Sequence, residues 1–166
     1  MKKIAITIIV LLLNITGPVV NAHNQNDFEF IKQHKMNGYG PFGEAIQQFE
    51  KNNNIKVDVP SVFPFKVTHK FGKIDEERKL NLRFVNKSTG QFIKMYVTPE
   101  KNYFTEKTLG GILKDGTPVM INRVHPYGTS IEFSRNNLSY CIYLSHLMNS
   151  KKYSDEDLIG IANSIK

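Results

Sequence analysis

Apolar residues recur along this chain with two different periods, and the change between them divides it. Over Pro41–Glu50 the apolar positions Phe42, Ala45, Ile46 and Phe49 fall at i, i+3, i+4 and i+7, which predicts one helix with a single apolar stripe. Pro41 suits its first turn, and Asn52-Asn53-Asn54 stops it. From Ile55 the period becomes two. Ile55, Val57 and Val59 alternate with Lys56 and Asp58, and Pro60 and Pro64 bracket a turn before a run from Phe65 to Phe71. After the polar break Asp75-Glu76-Glu77, Leu80, Leu82 and Phe84 alternate with Asn81, Arg83 and Val85. Asn86 to Gly90 then turns the chain into Phe92–Val97, a predicted hairpin. Pro99 to Gly111 is less regular, with Tyr103, Phe104 and Leu109 placed to cover a sheet. Asp115-Gly116 signals a turn between Ile112-Leu113 and Val119-Met120-Ile121. Strands at Ser130–Ser134 and Leu138–Leu144 flank the short turn Arg135-Asn136-Asn137. The end of the chain returns to the helical period: Ser154 is an N-cap candidate, Asp155, Glu156 and Asp157 fill the first turn, and Leu158, Ile161, Ala162 and Ile165 make the stripe. The predicted fold is α+β, a curved antiparallel sheet of six or seven strands packed by an N-terminal helix and a C-terminal helix.

The first residues follow neither period. Met1-Lys2-Lys3 precedes an uncharged apolar run, Ile4 to Leu13, which Asn14, Thr16, Gly17 and Pro18 interrupt before the small-residue junction Val20-Asn21-Ala22. This predicts a secretory signal peptide over residues 1–22, cleaved before His23, since a membrane span needs roughly 20 apolar residues. An uncleaved N-terminal anchor is the alternative, and a lipid anchor would need a cysteine at the junction, where there is none. Residues 23–40 read as a loosely ordered lead-in and 41–166 as one α+β domain. The protein is therefore expected outside the plasma membrane of a bacterium, secreted or on the surface through a Sec-type route.

Charge and cysteine usage narrow the partners. The chain carries 22 Lys and Arg against 15 Asp and Glu; without Lys2 and Lys3 the 20 remaining leave a formal charge of +5. That balance suits peripheral contact with an anionic wall or membrane surface, although scattered lysines equally make an ordinary solvated face. No basic stripe with interleaved aromatics occurs, so nucleic acid is not an expected partner. Cys141 is the single cysteine, so no intramolecular disulfide is possible; within Leu138–Leu144 it reads as a buried, inert strand residue.

Few residues offer catalytic chemistry. His23, His34, His69, His125 and His146 form no close-spaced pair of the kind that often holds zinc, so no metal and no cofactor is expected. There is no GxSxG elbow, and Cys141 and His146 differ by five positions, opposite faces of one strand. Asp75-Glu76-Glu77 lacks the glycine-punctuated loop of a calcium site, and Gly110-Gly111 lacks the spacing of a phosphate cradle. Asn86-Lys87-Ser88 and Asn137-Leu138-Ser139 match a glycosylation sequon but read as turn chemistry. Tyrosines suit both packing in a pleated sheet and ligand contact, and Tyr39 and Tyr140 belong to the same candidate set. If a ligand groove exists on the sheet, Tyr96, Tyr103, Tyr127 and Tyr143 are its expected lining.

Three segments taken in order, Val62-Phe63-Pro64-Phe65-Lys66-Val67, Asp115-Gly116-Thr117-Pro118-Val119-Met120-Ile121-Asn122 and Tyr153–Ile165, resemble an uncharacterised domain family of Gram-positive cell-envelope proteins, found in small exported lipoproteins and in the extracellular part of some anti-sigma factors. The resemblance spans about Pro60 to Lys166. It implies an extracytoplasmic domain with a curved antiparallel sheet closed by the C-terminal helix, and it brings no established catalytic residues to carry over. The family often has a tryptophan and a glycine-bearing hairpin where this chain has Ile131-Glu132-Phe133 and Arg135-Asn136-Asn137, and the chain contains no tryptophan. Three functional classes follow: a non-enzymatic binding module that holds a protein partner or an apolar ligand in the cell envelope, a small hydrolase built from distant residues such as His69, Asp75 and His125, and a factor that pairs through an exposed strand edge.

Overall fold

A computed structural model describes residues 22–99, 110–124, 128–145 and 153–166, side chains of 22–25 and 124 excepted. Its chain divides into two units, residues 1–33 and 34–166. Helix α1 runs over Ala22–Met36, and its last turn belongs to the second unit. That unit continues with β1 (Gly40–Pro41), α2 (Phe42–Asn53), β2 (His69–Ile74), β3 (Leu80–Val85), β4 (Phe92–Thr98), β5 (Gly111–Ile112), β6 (Pro118–Val124), β7 (Gly128–Arg135), β8 (Leu138–Ser145) and α3 (Asp155–Asn163). The fold is α+β with one antiparallel sheet in the order β1-β2-β3-β4-β8-β7-β6-β5. Two up-and-down runs of four strands thus meet at the β4/β8 pair.

Eight strands replace the expected six or seven, and the difference is local. β1 is a two-residue pairing, Gly40 with Gly72 and Pro41 with Phe71, too short to leave an alternation in the sequence. The run Ile55–Val59 alternates as expected, with Val57 buried and Lys56 exposed, but forms no strand. Its backbone bonds go to the preceding helix instead: the Val57 N–H donates to the Glu50 carboxylate at 3.0 Å, and the Ile55 N–H to the Glu50 carbonyl. Phe65 to Thr68 likewise lie outside β2, which begins at His69.

Alternation in the sheet decides its two faces. Leu80, Leu82 and Phe84 of β3, Ile93, Met95 and Val97 of β4, Leu138, Tyr140, Ile142 and Leu144 of β8, and Ile131 and Phe133 of β7 are buried on one side. Ala45 and Phe49 of α2 and Leu158, Ile161 and Ala162 of α3 join the same core, so both helices cover this one face. Gly72 is where α2 comes closest: a Cβ there would stand 2.6 Å from the Ala45 Cβ. Asn54, left-handed at φ 50°, ends α2. Ser154 caps α3 in a reciprocal box with Asp157. The β7–β8 turn is built by Asn136 and Asn137, both at positive φ, as a tight hairpin demands.

Candidate functional site

The opposite face of the sheet is not covered by α2 or α3, and its side chains fall into rows that the strand register sets. One row runs Lys73, Asn81, Tyr96, Cys141, Glu132 and Met120 across β2, β3, β4, β8, β7 and β6. The next runs Phe71, Arg83, Lys94, Tyr143, Ser130 and Asn122. Register therefore brings Tyr96 and Tyr143 onto the same face of neighbouring strands, diagonal to one another at roughly 7–8 Å between backbones. Both are half-buried, and burial is the leading cause that raises both phenols above their ordinary range. Tyr103 and Tyr127, the other two expected lining residues, lie outside the described residues. The Tyr140 ring is buried on the core side, stacked on Phe133 at 5.1 Å, and burial pushes its hydroxyl up to about 12.

At one end of the rows a cavity of about 420 Å³ is lined by Asp75, Lys79, Tyr96, Thr98, Glu132, Ser139, Tyr140 and Cys141. The polar groups in its walls are already held by hydrogen bonds. Burial works to raise the Asp75 carboxyl, but the Lys79 N–H at 2.8 Å, the Asn81 amide at 2.8 Å and the Lys79 charge together hold it below the usual carboxylate range. Glu132 accepts from the Asn122 amide at 3.1 Å. Cys141 is half-buried rather than fully buried, and burial, with the neighbouring Glu132 charge second, pushes its thiol up to about 12.

A protonated thiol is a poor nucleophile, so Cys141 is expected to resist iodoacetamide at pH 8 by at least about a hundredfold relative to the urea-unfolded chain. Equal rates in the two states would contradict this environment. The same shift contributes stability that is complete below the unfolded thiol value of roughly 8.5 and is lost as pH rises toward 12.

At the other end the face is basic and aromatic. Arg83 and Lys94 stand directly opposite each other on β3 and β4. The Arg83 guanidinium lies 4.5 Å from the Phe92 ring centroid and the Lys94 ammonium 5.6 Å from the same ring. Lys73 sits 4.7 Å from the Tyr39 ring, and its ammonium donates to the Asn37 carbonyl at 3.1 Å. Beyond Arg83, His34 stacks on Phe71 at 4.1 Å and His69 follows at 6.1 Å.

Of the dispersed residues of a hydrolase, His69 and Asp75 are not brought together. His69 and Asp75 both project to this face from the line of β2, six residues and therefore about 20 Å apart, and His125 lies outside the described residues. Among the described residues no three His, Cys, Asp or Glu converge as a metal would require. Both described sheet margins, β1 and β5, are only two residues long. Among the described residues no helix is long and apolar enough to cross a membrane. The chain matches no family model, no curated protein and no solved structure.

Arg83, Lys94 and Glu132 are the members of this face that the sequence pattern did not single out. Each is the one charged residue between apolar neighbours in its strand, Leu82-Arg83-Phe84, Ile93-Lys94-Met95 and Ile131-Glu132-Phe133, and that isolation is the signal they carry.

Proposed function

We propose that the protein is a non-enzymatic binding module of the bacterial cell envelope, exported by its N-terminal signal, that holds a protein partner on the sheet face opposite α2 and α3. The single observation that carries this reading is the asymmetry of the sheet. One face is sealed by two helices, while the other offers half-buried tyrosines, amides, hydroxyls and charges of both signs around a cavity. Aromatic rings with polar tips set among hydrogen-bonding groups suit a protein surface. The polarity of Asn81, Arg83, Lys94, Ser130 and Glu132 weighs against a purely apolar ligand. On this reading the sheet is curved, and its curvature makes the floor a groove.

Membership of the Gram-positive envelope family is part of the same proposal. Two of the segments that carry the resemblance meet at the end of α3, where the Val62 N–H donates to the Ser164 hydroxyl at 3.1 Å, and Lys114, the residue before the third, donates its N–H to Asn163 at 2.8 Å. These contacts support an architectural role for those motifs, in keeping with a family for which no catalytic residues are established.

Photocrosslinking side chains placed at Tyr96, at Tyr143 and at Gln47 on the exposed side of α2 test the reading in intact cells. The expected result is one adduct of the same mass from both sheet positions and none from Gln47, on a chain whose N-terminus is His23. Adducts confined to Gln47, or a full-length chain found only in the cytosol, would overturn it.

A further inference from the structure

Two cations placed directly opposite one another in a sheet repel, and burying them adds the cost of removing water from both. Arg83 and Lys94 are such a pair, both half-buried. Their surroundings do not compensate: among the described residues neither is in an ion pair with a carboxylate, and the buried Arg83 Nε makes no hydrogen bond. Lys73 adds a third positive charge from the adjoining strand. Burial, and after it the charges of Arg83 and Lys73, lower the Lys94 ammonium from its ordinary value.

What the arrangement does provide is shape. The guanidinium lies over the Phe92 ring, while Phe71 and Tyr143 stand on either side of the cations in the same row. A planar fork of donors beside a point charge matches a tetrahedral oxyanion. A carboxylate is planar, whereas the oxygens of a phosphate group are set tetrahedrally and can meet both cations at once. The half-buried Tyr143 ring offers a surface for carbon, which inorganic phosphate does not have.

We propose that Arg83 and Lys94, seated on Phe92 and flanked by Phe71 and Tyr143, form a site for a phosphoester, a phosphate group carried on a polyol or sugar. This deepens the binding-module reading, since it rests on the same sheet face being the working surface and names a chemical group that the face takes. The group could be presented by a soluble wall polymer or by a lipid headgroup.

Glycerol 3-phosphate titrated into the folded protein by calorimetry, at constant ionic strength, tests the site. Saturable binding is expected, with no response to glycerol or acetate. Arg83→Gln and Lys94→Gln are each expected to weaken it at least tenfold, and Arg83→Lys, which keeps the charge and loses the fork, severalfold. Without ligand Lys94→Gln should melt no lower than the wild type, because it removes a repulsion; this separates lost binding from lost folding. Vesicles of phosphatidylglycerol, compared with phosphatidylcholine, distinguish the sources. Co-sedimentation with the former that the variants abolish assigns the phosphoester to lipid, whereas binding of the soluble ester alone assigns it to a polymer. A weak, non-saturating response shared equally by wild type and variants would overturn the site. If that occurs while the Tyr96 and Tyr143 adducts persist, the anion site fails alone; saturable phosphoester binding without any adduct would instead remove the protein partner.

Discussion

Phe84→Ala is expected to destabilise the folded protein by about 3–5 kcal/mol, the range for deleting a fully buried phenylalanine. Phe84 has no exposed surface and joins three parts of the structure. It extends from β3 to meet the Phe42 ring of α2 edge-on at 5.4 Å and the Phe63 ring of the long connection before β2 at 4.9 Å. Its loss leaves a void that neither neighbour can fill without leaving its own position. Because a domain has only about 5–15 kcal/mol in hand, the variant should lose a large part of its stability. Urea denaturation followed by far-UV circular dichroism measures this as a lowered midpoint at an unchanged slope. A shift below about 1 kcal/mol would mean that Phe84 does not bridge these elements.

Gly72→Ala is the second large effect, and its sign opposes local propensity. In a strand interior alanine is ordinarily no worse than glycine. Here the new methyl would meet the Ala45 Cβ at 2.6 Å, with the Phe42 carbonyl and a Leu82 methyl both at 3.3 Å, so α2 must lift from the sheet. Overpacking of this kind costs about 1–3 kcal/mol. Ala45→Gly reopens the space, although by itself it costs the helix about 1 kcal/mol. The double variant is therefore expected to be more stable than the sum of the single losses predicts, and a strictly additive cycle would show that the close approach is not what Gly72 provides.

The parts of this fold that sequence makes legible are those in which one physical signal dominates. The α2 stripe, the β3–β4 hairpin, the Asn136-Asn137 turn and the Ser154 cap all rest on spacing or on a single backbone requirement, and they fall where the pattern predicts. Ile55–Val59 misleads because alternate burial needs only an extended chain over a core. Pairing also needs a neighbouring strand, and there the Glu50 carboxylate takes the N–H of Val57. β1 is hidden for the opposite reason, since two residues cannot show a period.

Less of the candidate face is legible. Tyr96 and Tyr143 stand out as aromatics, but what relates them is the register of β4 with β8, strands separated by three others in the chain. Arg83 and Lys94 lie in one predicted hairpin, and even so their meeting depends on which residues face each other across it. A slip of one position would send one of them to the core side and part the pair.

The order of strands has a last implication, for biogenesis. Each run of four strands is assembled from neighbours, whereas the β4–β8 pairing must zip together distant stretches, the kind of closure that comes late in folding. Tyr96 and Tyr143 sit on either side of that seam. A half-made or truncated chain would carry one tyrosine or the other but not the pair, so the two stand together on one face only once the last long-range closure is complete.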